Sequence, residues 1–469
     1  MIIMNVIFKL SIILAVFLLI WFLPVPSGIE PNGIHLFAIF CATIIGLILK
    51  PVDMGGVVFV GIVITALTGT LTIKESLSGF SNDTVWLILS AFLISRGFMK
   101  TGVGKRVAYI FIRLFGRTTL GLSYSLIMSE FILAPAMPSN TARSGGIFYP
   151  IIRSLCSAYG SEPDKSPGKI GSFLILAQYH ADVIISAMFL TSMAANLLIA
   201  EFTKNITGYE IQWTTWILGA IVPGILSLLL VPLVIYKITQ PEIKKSAKSK
   251  TIADEELKKM GKMKKNEKTM LVIFLFILSV WITSNFHNVH VTTVALFGVA
   301  LMIILGVLNW SDILGERNAW DAMIWFGGLI MMADGLSKYG VISWFSGNVS
   351  NFLINFPVSL ALILMLVIYF YSHYGFASMT AHITALFPAF LGVAMSAGAP
   401  PLLAALALAY FSNLNASITH YATGPAPIYF NSGYVDLIKW WKIGFIVSVI
   451  NVIIWIGIGF PYWKFCGFW

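Results

Sequence analysis

Two short polar stretches, APAMPSNTAR at residues 134–143 and YGFASMTAH at residues 374–382, interrupt an otherwise apolar sequence and decide how its helices are arranged. Each contains a Ser-x-Thr triplet beside a helix-breaking residue, and each has a basic or titratable side chain two residues after the Thr. Irregular backbone at membrane depth is tolerated only where it is buried in protein or lines a wet cavity. The two stretches therefore predict paired polar loops inside a membrane protein.

The composition around these loops is that of a polytopic membrane protein. Of the 469 residues, 58% are hydrophobic and 11% are charged, and the mean hydropathy is +0.87, outside the range of soluble domains. Eleven apolar segments of a length suited to membrane-spanning helices lie near residues 4–23, 34–49, 55–71, 83–103, 170–200, 213–236, 270–286, 291–309, 320–345, 400–430 and 441–465. Because these runs are long and continuous, they favour an all-α fold over a β-barrel.

The distribution of charge predicts the orientation in the membrane. The net charge is +10, but eleven lysines and five acidic residues fall between Lys237 and Lys268, which indicates a hydrophilic cytoplasmic loop and not a nucleic-acid surface. Counting spans outward from this loop places the N-terminus in the cytoplasm and the chain in the plasma or inner membrane, with residues 4–23 as a first span and not a removable signal peptide. The same count makes residues 119–156 and 357–398 re-entrant hairpins entering from opposite sides.

The cysteine spacing and the lack of catalytic motifs in the sequence argue against several other classes of protein. Cys41, Cys156 and Cys466 show no CxxC spacing, so neither a disulfide framework nor a zinc site is indicated, and we predict no cofactor and no metal. The sequence contains no HExxH, GxSxG or Walker motif and no catalytic carboxylate pair at membrane depth. A membrane-embedded enzyme is therefore disfavoured.

An internal repeat supports the pairing of the two hairpins. Residues 82–103 align without a gap with residues 320–341, and Asp, Gly, Lys, Gly and Val match at five positions. The two Ser-x-Thr triplets, at 139–141 and 378–380, have almost the same separation along the chain, and a weaker block aligns 192–196 with 423–427. Since the charge count gives the two copies opposite orientations, the sequence predicts the inverted repeat of a secondary transporter.

The residues of the two triplets suit an anionic ligand. At a helix break, the N-terminus of the next helix offers unpaired backbone N–H groups and the positive end of a dipole. Hydroxyl groups of Ser139, Thr141, Ser378 and Thr380 and the amide of Asn140 can add donors to the same ligand. The alternative is that the hydroxyls only satisfy backbone carbonyl groups in kinked helices.

Two basic or titratable side chains follow the triplets. Arg143 and His382 are expected to face an anionic substrate, because a charge inside a membrane needs a counter-ion or a cavity. Arg143 can instead pair with Glu130, and His382 can be a neutral hydrogen-bonding residue. His420, in the most polar part of a predicted span, is expected to line a cavity, and His180 and Asp182 hold the corresponding place in the first half, as lining or as a structural ion pair.

These motifs resemble the divalent-anion/sodium symporter family. SNTAR at 139–143, SMTAH at 378–382 and THYATGPAP at 419–427 are most similar to its exchanger branch, which includes bacterial citrate/succinate antiporters and plastid 2-oxoglutarate/malate translocators. The resemblance implies a homodimer in the lipid bilayer, with a scaffold domain and an elevator-type transport domain in each protomer. The fold it implies is an all-α polytopic membrane protein of about eleven transmembrane helices and two re-entrant hairpins in an inverted repeat.

The resemblance also implies a division of the chain and a substrate site. Scaffold helices are expected at 1–118 and 213–319, the latter with the lysine-rich loop 237–268; hairpins and broken spans of the transport domain at 119–212 and 356–435; span 9 at 320–355; and a last span at 436–469. The expected substrate-binding residues are Ser139, Asn140, Thr141, Arg143, Ser378, Met379, Thr380, His382, His420, Thr423, Gly424 and Pro425.

The sequence departs from the sodium-coupled pattern of the family at two points. Met379 stands where Asn is usual, and the turn at residues 191–196 lacks two prolines. We therefore expect Arg143 and His382 to neutralise the substrate in place of Na⁺, which predicts sodium-independent exchange of C4/C5 di- or tricarboxylates of the malate, succinate, fumarate, 2-oxoglutarate and citrate class. Sodium- or proton-coupled dicarboxylate symport is the main alternative. A channel is disfavoured, since paired binding loops suit alternating access.

Overall fold

The computed structural model describes residues 2–287, 289–353 and 357–469, and within these ranges the chain is helical and contains no β-strand. The expectation of an all-α fold is therefore confirmed. The first six helices are α1 (Ile2–Trp21), α2 (Pro31–Leu49), α3 (Met54–Leu67), α4 (Ile73–Ser76), α5 (Asp83–Thr101) and α6 (Val103–Phe115). Of these, α1, α2, α3 and α5 coincide with the first four apolar segments of the sequence.

The first hairpin and the first broken helix follow. The hairpin consists of α7 (Thr119–Leu133), a 3₁₀ turn (Ala134–Ala136), a π-helical turn (Thr141–Phe148) and α8 (Tyr149–Ala158). The broken helix consists of α9 (Gly171–Met188), a 3₁₀ turn (Leu190–Ser192) and α10 (Ala194–Thr207). Every residue of α9 is buried, so this helix forms the centre of the protein.

The middle of the chain contains α11 (Trp213–Thr239), α12 (Lys248–Met260), α13 (Lys265–Ile282), α14 (Val291–Ile304) and α15 (Trp310–Leu314). The lysine-rich segment 237–268, expected to be a loop, thus contains a helix of its own. Helix α12 packs on α6, and Arg106 on α6 forms a buried ion pair with Glu267 at 2.6 Å and donates to the carbonyl oxygen of Gly261 at 3.0 Å. These contacts hold the basic segment against the helical core.

The second half repeats the pattern of the first. It contains α16 (Arg317–Lys338), α17 (Val341–Leu353), α18 (Val358–Ser372), a 3₁₀ turn (His373–Gly375), α19 (Met379–Ser396), α20 (Pro401–Leu414), a 3₁₀ turn (Asn415–Ile418), α21 (Pro425–Phe430), α22 (Leu437–Ile454), a π-helical turn (Trp455–Gly459) and α23 (Phe460–Phe465). Helices α18 and α19 form the second hairpin, and α20 and α21 form the second broken helix.

Local backbone geometry agrees with the repeat found in the sequence. Gly102 and Gly340 occupy equivalent positions of the aligned segments, and both have positive φ angles, 77° and 81°. Each is followed by a Val that begins a new helix. Such a left-handed residue turns the chain sharply, and glycine adopts it without steric cost. Helices α10 and α21 also begin at equivalent positions, inside the aligned segments 192–196 and 423–427.

Length and composition alone identify fewer membrane spans than the sequence predicts. Among the described residues, eight helical segments are long and apolar enough to cross a membrane, or nine if the pair α5–α6, bent by 63°, is one span. Three of the eight are arms of the two hairpins, and the shorter apolar helices α3 and α14 coincide with other expected spans. The count of eleven spans stays a prediction.

Helix α11 is hydrogen-bonded to helices from both halves of the chain. The indole Nε1 of Trp216 donates to the carbonyl oxygen of Ala187 on α9 at 2.9 Å, and the hydroxyl of Tyr410 on α20 donates to the carbonyl oxygen of Trp216 at 2.8 Å. From α23, the indole of Trp463 donates to the carbonyl oxygen of Gly219 at 2.7 Å. Helix α11 and the last helices therefore pack on the two broken helices.

Candidate functional site

The first hairpin breaks because its sequence cannot continue a helix. Pro135 and Pro138 lack backbone N–H groups, and Met137 between them is extended, so α7 ends before them. Ser139 then caps the second arm, with its Oγ accepting a hydrogen bond from the backbone N–H of Ala142 at 3.2 Å. This is the ordinary role of an N-cap serine, and it leaves the hydroxyl hydrogen available to a ligand.

The second hairpin repeats this construction at the equivalent residue. Phe376 is extended after the 3₁₀ turn, and Ser378 caps α19, with its Oγ accepting from the backbone N–H of Ala381 at 3.4 Å. Ser139 and Ser378, aligned in the sequence repeat, thus have the same structural task. The interpretation that the hydroxyls satisfy only backbone carbonyl groups does not describe these two serines, since each accepts from a backbone N–H group.

Both hairpin breaks lie in the wall of one cavity of about 390 Å³, a volume within the usual range of small-molecule sites. The hairpins contribute Pro138, Ser139, Asn140, Thr141, Ala377, Ser378, Met379 and Thr380, and the broken helices contribute Met193, Ala194, Ala195, Tyr421, Thr423, Gly424 and Pro427. The remaining wall comes from Lys50, Met54 and Phe92. Residues from opposite halves of the sequence thus meet at one site.

The two halves of the cavity are joined by direct contacts. The side-chain amide of Asn140 donates to the hydroxyl of Thr423 at 3.0 Å, which links the first hairpin to the second broken helix. Gly424 approaches Thr141 so closely that a Cβ atom at this glycine would lie 1.9 Å from Thr141 Oγ1. A glycine is therefore required for the two elements to meet.

The cavity suits a small anion. The arm after the first break, α10 and α19 all begin at its wall, and the first turn of a helix presents N–H groups without intrahelical partners and a positive dipole end. Hydroxyl groups of Ser139, Thr141, Ser378 and Thr380 stand beside these N-termini. No acidic side chain is found among the described residues that line the cavity. The site therefore offers many hydrogen-bond donors and no carboxylate to repel an anion.

Eight of the twelve expected site residues line this cavity. They are Ser139, Asn140, Thr141, Ser378, Met379, Thr380, Thr423 and Gly424. The structure places the other four, Arg143, His382, His420 and Pro425, outside the cavity wall. The eight residues on the wall lie at the hairpin breaks and at the starts of helices. At these positions the residues of the motif themselves end one helix and begin the next.

The expectation that Arg143 faces the substrate is corrected by the structure. Its side chain is fully buried and forms ion pairs with Glu130 at 2.9 Å and with Asp182 at 2.8 Å. Its Nη1 also donates to the carbonyl oxygens of Met137 and Ser192, at 2.8 and 2.7 Å. The pairing with Glu130 considered from the sequence is therefore present, and Asp182 completes it as a structural ion pair.

The expected roles of His382 and His420 are also corrected. His382 is fully buried and its ring nitrogens lie 2.9 Å from Ser372 Oγ and 3.4 Å from Asn415 Nδ2, so it packs behind the second hairpin and not at its tip. His420 accepts a hydrogen bond at Nδ1 from the indole of Trp441 at 3.1 Å. Both imidazoles form hydrogen bonds within the protein, His382 in the interior and His420 at a partly exposed position. Pro425 only begins α21.

Several residues of the site were not identified from the sequence. His373, which lies in the 3₁₀ turn of the second hairpin, is fully buried, and its Nε2 is 3.1 Å from the carbonyl oxygen of Ala422 in the second broken helix. The hydroxyl of Tyr421 donates to the carbonyl oxygen of Tyr374 at 2.9 Å. No sequence pattern identified His373, since at the offset of the two hairpins it aligns with Ala134.

Comparison with known proteins agrees with this architecture. The family model described as the sodium:sulfate symporter transmembrane region matches residues 4–469. The chain is 52% identical to YflS of Bacillus subtilis, whose name assigns it provisionally to malate transport, over 98% of this chain and 96% of that protein. It is 46% identical to the chloroplastic dicarboxylate transporter 1 of Arabidopsis thaliana, over 96% of this chain and 82% of that protein.

A solved structure shares the fold. The YdaH transporter of Alcanivorax borkumensis matches with a TM-score of 0.54 at 12% identity, covering 99% of this chain and 98% of that one. The match to the family model over nearly the whole length confirms the resemblance to divalent-anion/sodium symporters that the Ser-x-Thr motifs indicated. The chain belongs to the sodium:sulfate symporter family of membrane transporters.

Proposed function

We propose that this protein exchanges C4/C5 di- or tricarboxylates, of the malate, succinate, fumarate, 2-oxoglutarate and citrate class, across the membrane without sodium. The observation that carries the proposal is the cavity itself, in which two capped hairpin tips and the N-terminus of α10 bring neutral donors together around one space. A substrate with two carboxylates can place one at each hairpin tip. The names of the malate and dicarboxylate transporters among the relatives agree with this substrate class.

Arg143 supports sodium independence, although not through contact with substrate. Carbonyl oxygens freed at helix breaks are the ligands with which transporters of this kind bind Na⁺. Here the guanidinium of Arg143 occupies two of them, the carbonyl oxygens of Met137 and Ser192. A fixed cation at these oxygens both takes their lone pairs and repels a metal ion. In the second half, His373 Nε2 lies 3.1 Å from the carbonyl oxygen of Ala422, so this oxygen also has a hydrogen-bond partner within the protein.

The runner-up function is sodium- or proton-coupled symport, and one observation favours the proton-coupled form. Glu130 and Asp182 share a single guanidinium, so the fully buried cluster has one carboxylate more than it has cations. Burying an uncompensated charge is costly, which favours a proton on this cluster. A transport assay distinguishes a proton that stays bound from one that moves with the substrate.

The proposed mechanism is an elevator movement of the hairpins and broken helices against the other helices. We assign α11 and α22–α23 to the moving group, because they are fastened to the two broken helices. The expected boundary at residue 213 is revised accordingly. Helices α2, α3, α5 and α16 form the proposed scaffold.

Among the described residues, three side-chain hydrogen bonds link α10 of the moving group to α5 and α16 of the scaffold. On α10, Glu201 accepts hydrogen bonds from Asn82 at 2.7 Å and from Thr84 at 2.9 Å, both at the start of α5. One turn further, the amide of Asn205 donates to the carboxylate of Asp334 on α16 at 2.5 Å. A sliding movement of α10 against these helices must break these contacts.

Exchange in proteoliposomes tests the function. Vesicles preloaded with succinate are expected to take up labelled malate equally well with and without sodium, because the carrier reorients loaded and no sodium ion is bound. Uptake should be unaffected by a protonophore and small in empty vesicles. Sodium-driven accumulation in empty vesicles would establish sodium symport, and accumulation driven by a pH gradient would establish proton symport.

A pair of glycine substitutions tests the construction of the site. Gly424→Ala is expected to abolish transport and to destabilise the protein by about 1–3 kcal/mol, because its Cβ would overlap Thr141. Gly375→Ala, in the second hairpin, is the matched control, since a Cβ there meets no atom within 4 Å. Transport and thermal unfolding in detergent measure both effects. Normal transport by Gly424→Ala would show that this contact is not needed.

Cross-linking tests the elevator movement. In a background without Cys41, Cys156 and Cys466, a disulfide between Asn205→Cys and Asp334→Cys is expected to stop transport, with activity restored by reduction, because it joins α10 to the scaffold. The control joins Gly55→Cys to Asp321→Cys within the proposed scaffold, because a Cβ at Gly55 lies 3.2 Å from Asp321 Cγ, a separation that suits a disulfide. Full transport by the first cross-linked protein would exclude relative movement of these helices.

A further inference from the structure

Lys50 stands in the wall of the substrate cavity, although it belongs to neither hairpin and to no sequence motif. It follows α2 directly in a left-handed conformation, with φ 48° and ψ 63°. Its backbone N–H donates to the carbonyl oxygen of Gly46 at 2.8 Å. Residues with a side chain rarely adopt this conformation, and Pro51 prevents the helix from continuing. The backbone of Lys50 is therefore constrained at the end of α2.

The segment after Lys50 is anchored to the proposed scaffold. The backbone N–H of Gly55 donates to Asp321 Oδ1 on α16 at 3.1 Å. A Cβ at Gly55 would lie 2.3 Å from the same oxygen, so the two elements are in close contact. Lys50 and Met54 thus belong to a rigid part of the cavity wall that does not include the hairpins.

The charge of Lys50 is available to a ligand. Among the described residues that line the cavity, Lys50 alone has a charged side chain. Its side chain is exposed, and in the part of the chain that the structure describes no carboxylate oxygen lies within ion-pair distance of its amine. Arg143, the basic residue closest to the first triplet in sequence, is by contrast fully used by Glu130 and Asp182.

We propose that Lys50 binds a carboxylate of the substrate in the conformation seen here, and only in that conformation. The inference rests on the proposed dicarboxylate transport. Donors on the hairpins travel with the substrate, whereas Lys50 stays with the scaffold. When the site is open to one face of the membrane, the substrate therefore contacts both Lys50 and the neutral donors. When it is open to the other face, the substrate contacts the neutral donors alone. By the charge-derived topology, the face with the cation is the cytoplasmic one.

The consequence is an affinity for dianions that differs between the two faces. Removing the cation weakens binding where Lys50 contributes and leaves the other face unchanged. A compact ammonium group in a solvated cavity gives a modest contribution, so we expect about a tenfold effect, corresponding to about 1.4 kcal/mol. A monocarboxylate analogue, which has its single carboxylate at a hairpin tip, should be affected much less than the dicarboxylate.

The test compares exchange in inverted and right-side-out membrane vesicles made from cells producing each variant. Lys50→Gln is expected to raise the half-saturating concentration of external malate about tenfold in inverted vesicles and to change it by less than about twofold in right-side-out vesicles. Lys50→Arg keeps the positive charge and should resemble the unchanged protein. Asp53→Asn is the control for the loop, because Asp53 is exposed and makes no side-chain cap to α3.

Two results would overturn the inference. Equal effects of Lys50→Gln on both faces would show that the cation acts generally, and no effect on either face would show that it does not meet the substrate. A loss of affinity in Asp53→Asn equal to that in Lys50→Gln would assign the effect to the loop and not to the charge. If the unchanged protein exchanges no dicarboxylate in either type of vesicle, the proposed function itself fails, which is a separate result.

Discussion

The buried contacts of Arg143 are the interaction on which the cavity depends. One guanidinium ties two carboxylates to the carbonyl oxygens of Met137 and Ser192, which belong to the break of the first hairpin and the break of the first broken helix. Charge-assisted hydrogen bonds of this kind are stronger than neutral ones, and each group left without a partner in the interior is costly. The contacts therefore hold two irregular segments in register and place their following helices at one wall.

The hairpins contribute no charged side chain to the cavity wall. Its hairpin donors are neutral hydroxyl, amide and backbone groups, and the guanidinium behind them is already paired with Glu130 and Asp182. The charge of Arg143 is therefore compensated without substrate. Arg143 and His373 already contact carbonyl oxygens at the helix breaks, which leaves a sodium ion fewer ligands and supports the proposed sodium independence.

Local chemistry explains which features of the site were predictable from the sequence. A helix-breaking residue followed by an N-cap serine marks a helix break from local chemistry alone, so Ser139 and Ser378 were found from their residue types and their equivalent places in the repeat. Which charges meet is decided by packing between distant segments. Asp182 lies 39 residues after Arg143 on another helix, and Lys50 reaches the cavity from outside the repeat. No periodicity or motif gives these contacts, so the sequence left open whether Arg143 pairs with Glu130 and whether His382 is a neutral hydrogen-bonding residue.

Substrate protection of engineered cysteines tests most directly whether the two hairpins form one site. Ser139→Cys and Ala377→Cys, each in a background lacking Cys41, Cys156 and Cys466, would be treated with a thiol reagent at increasing malate concentration. We expect malate to slow the modification of both cysteines over the same concentration range, and to leave an exposed cysteine at Lys74 unprotected. Protection at one hairpin without the other would contradict a shared site.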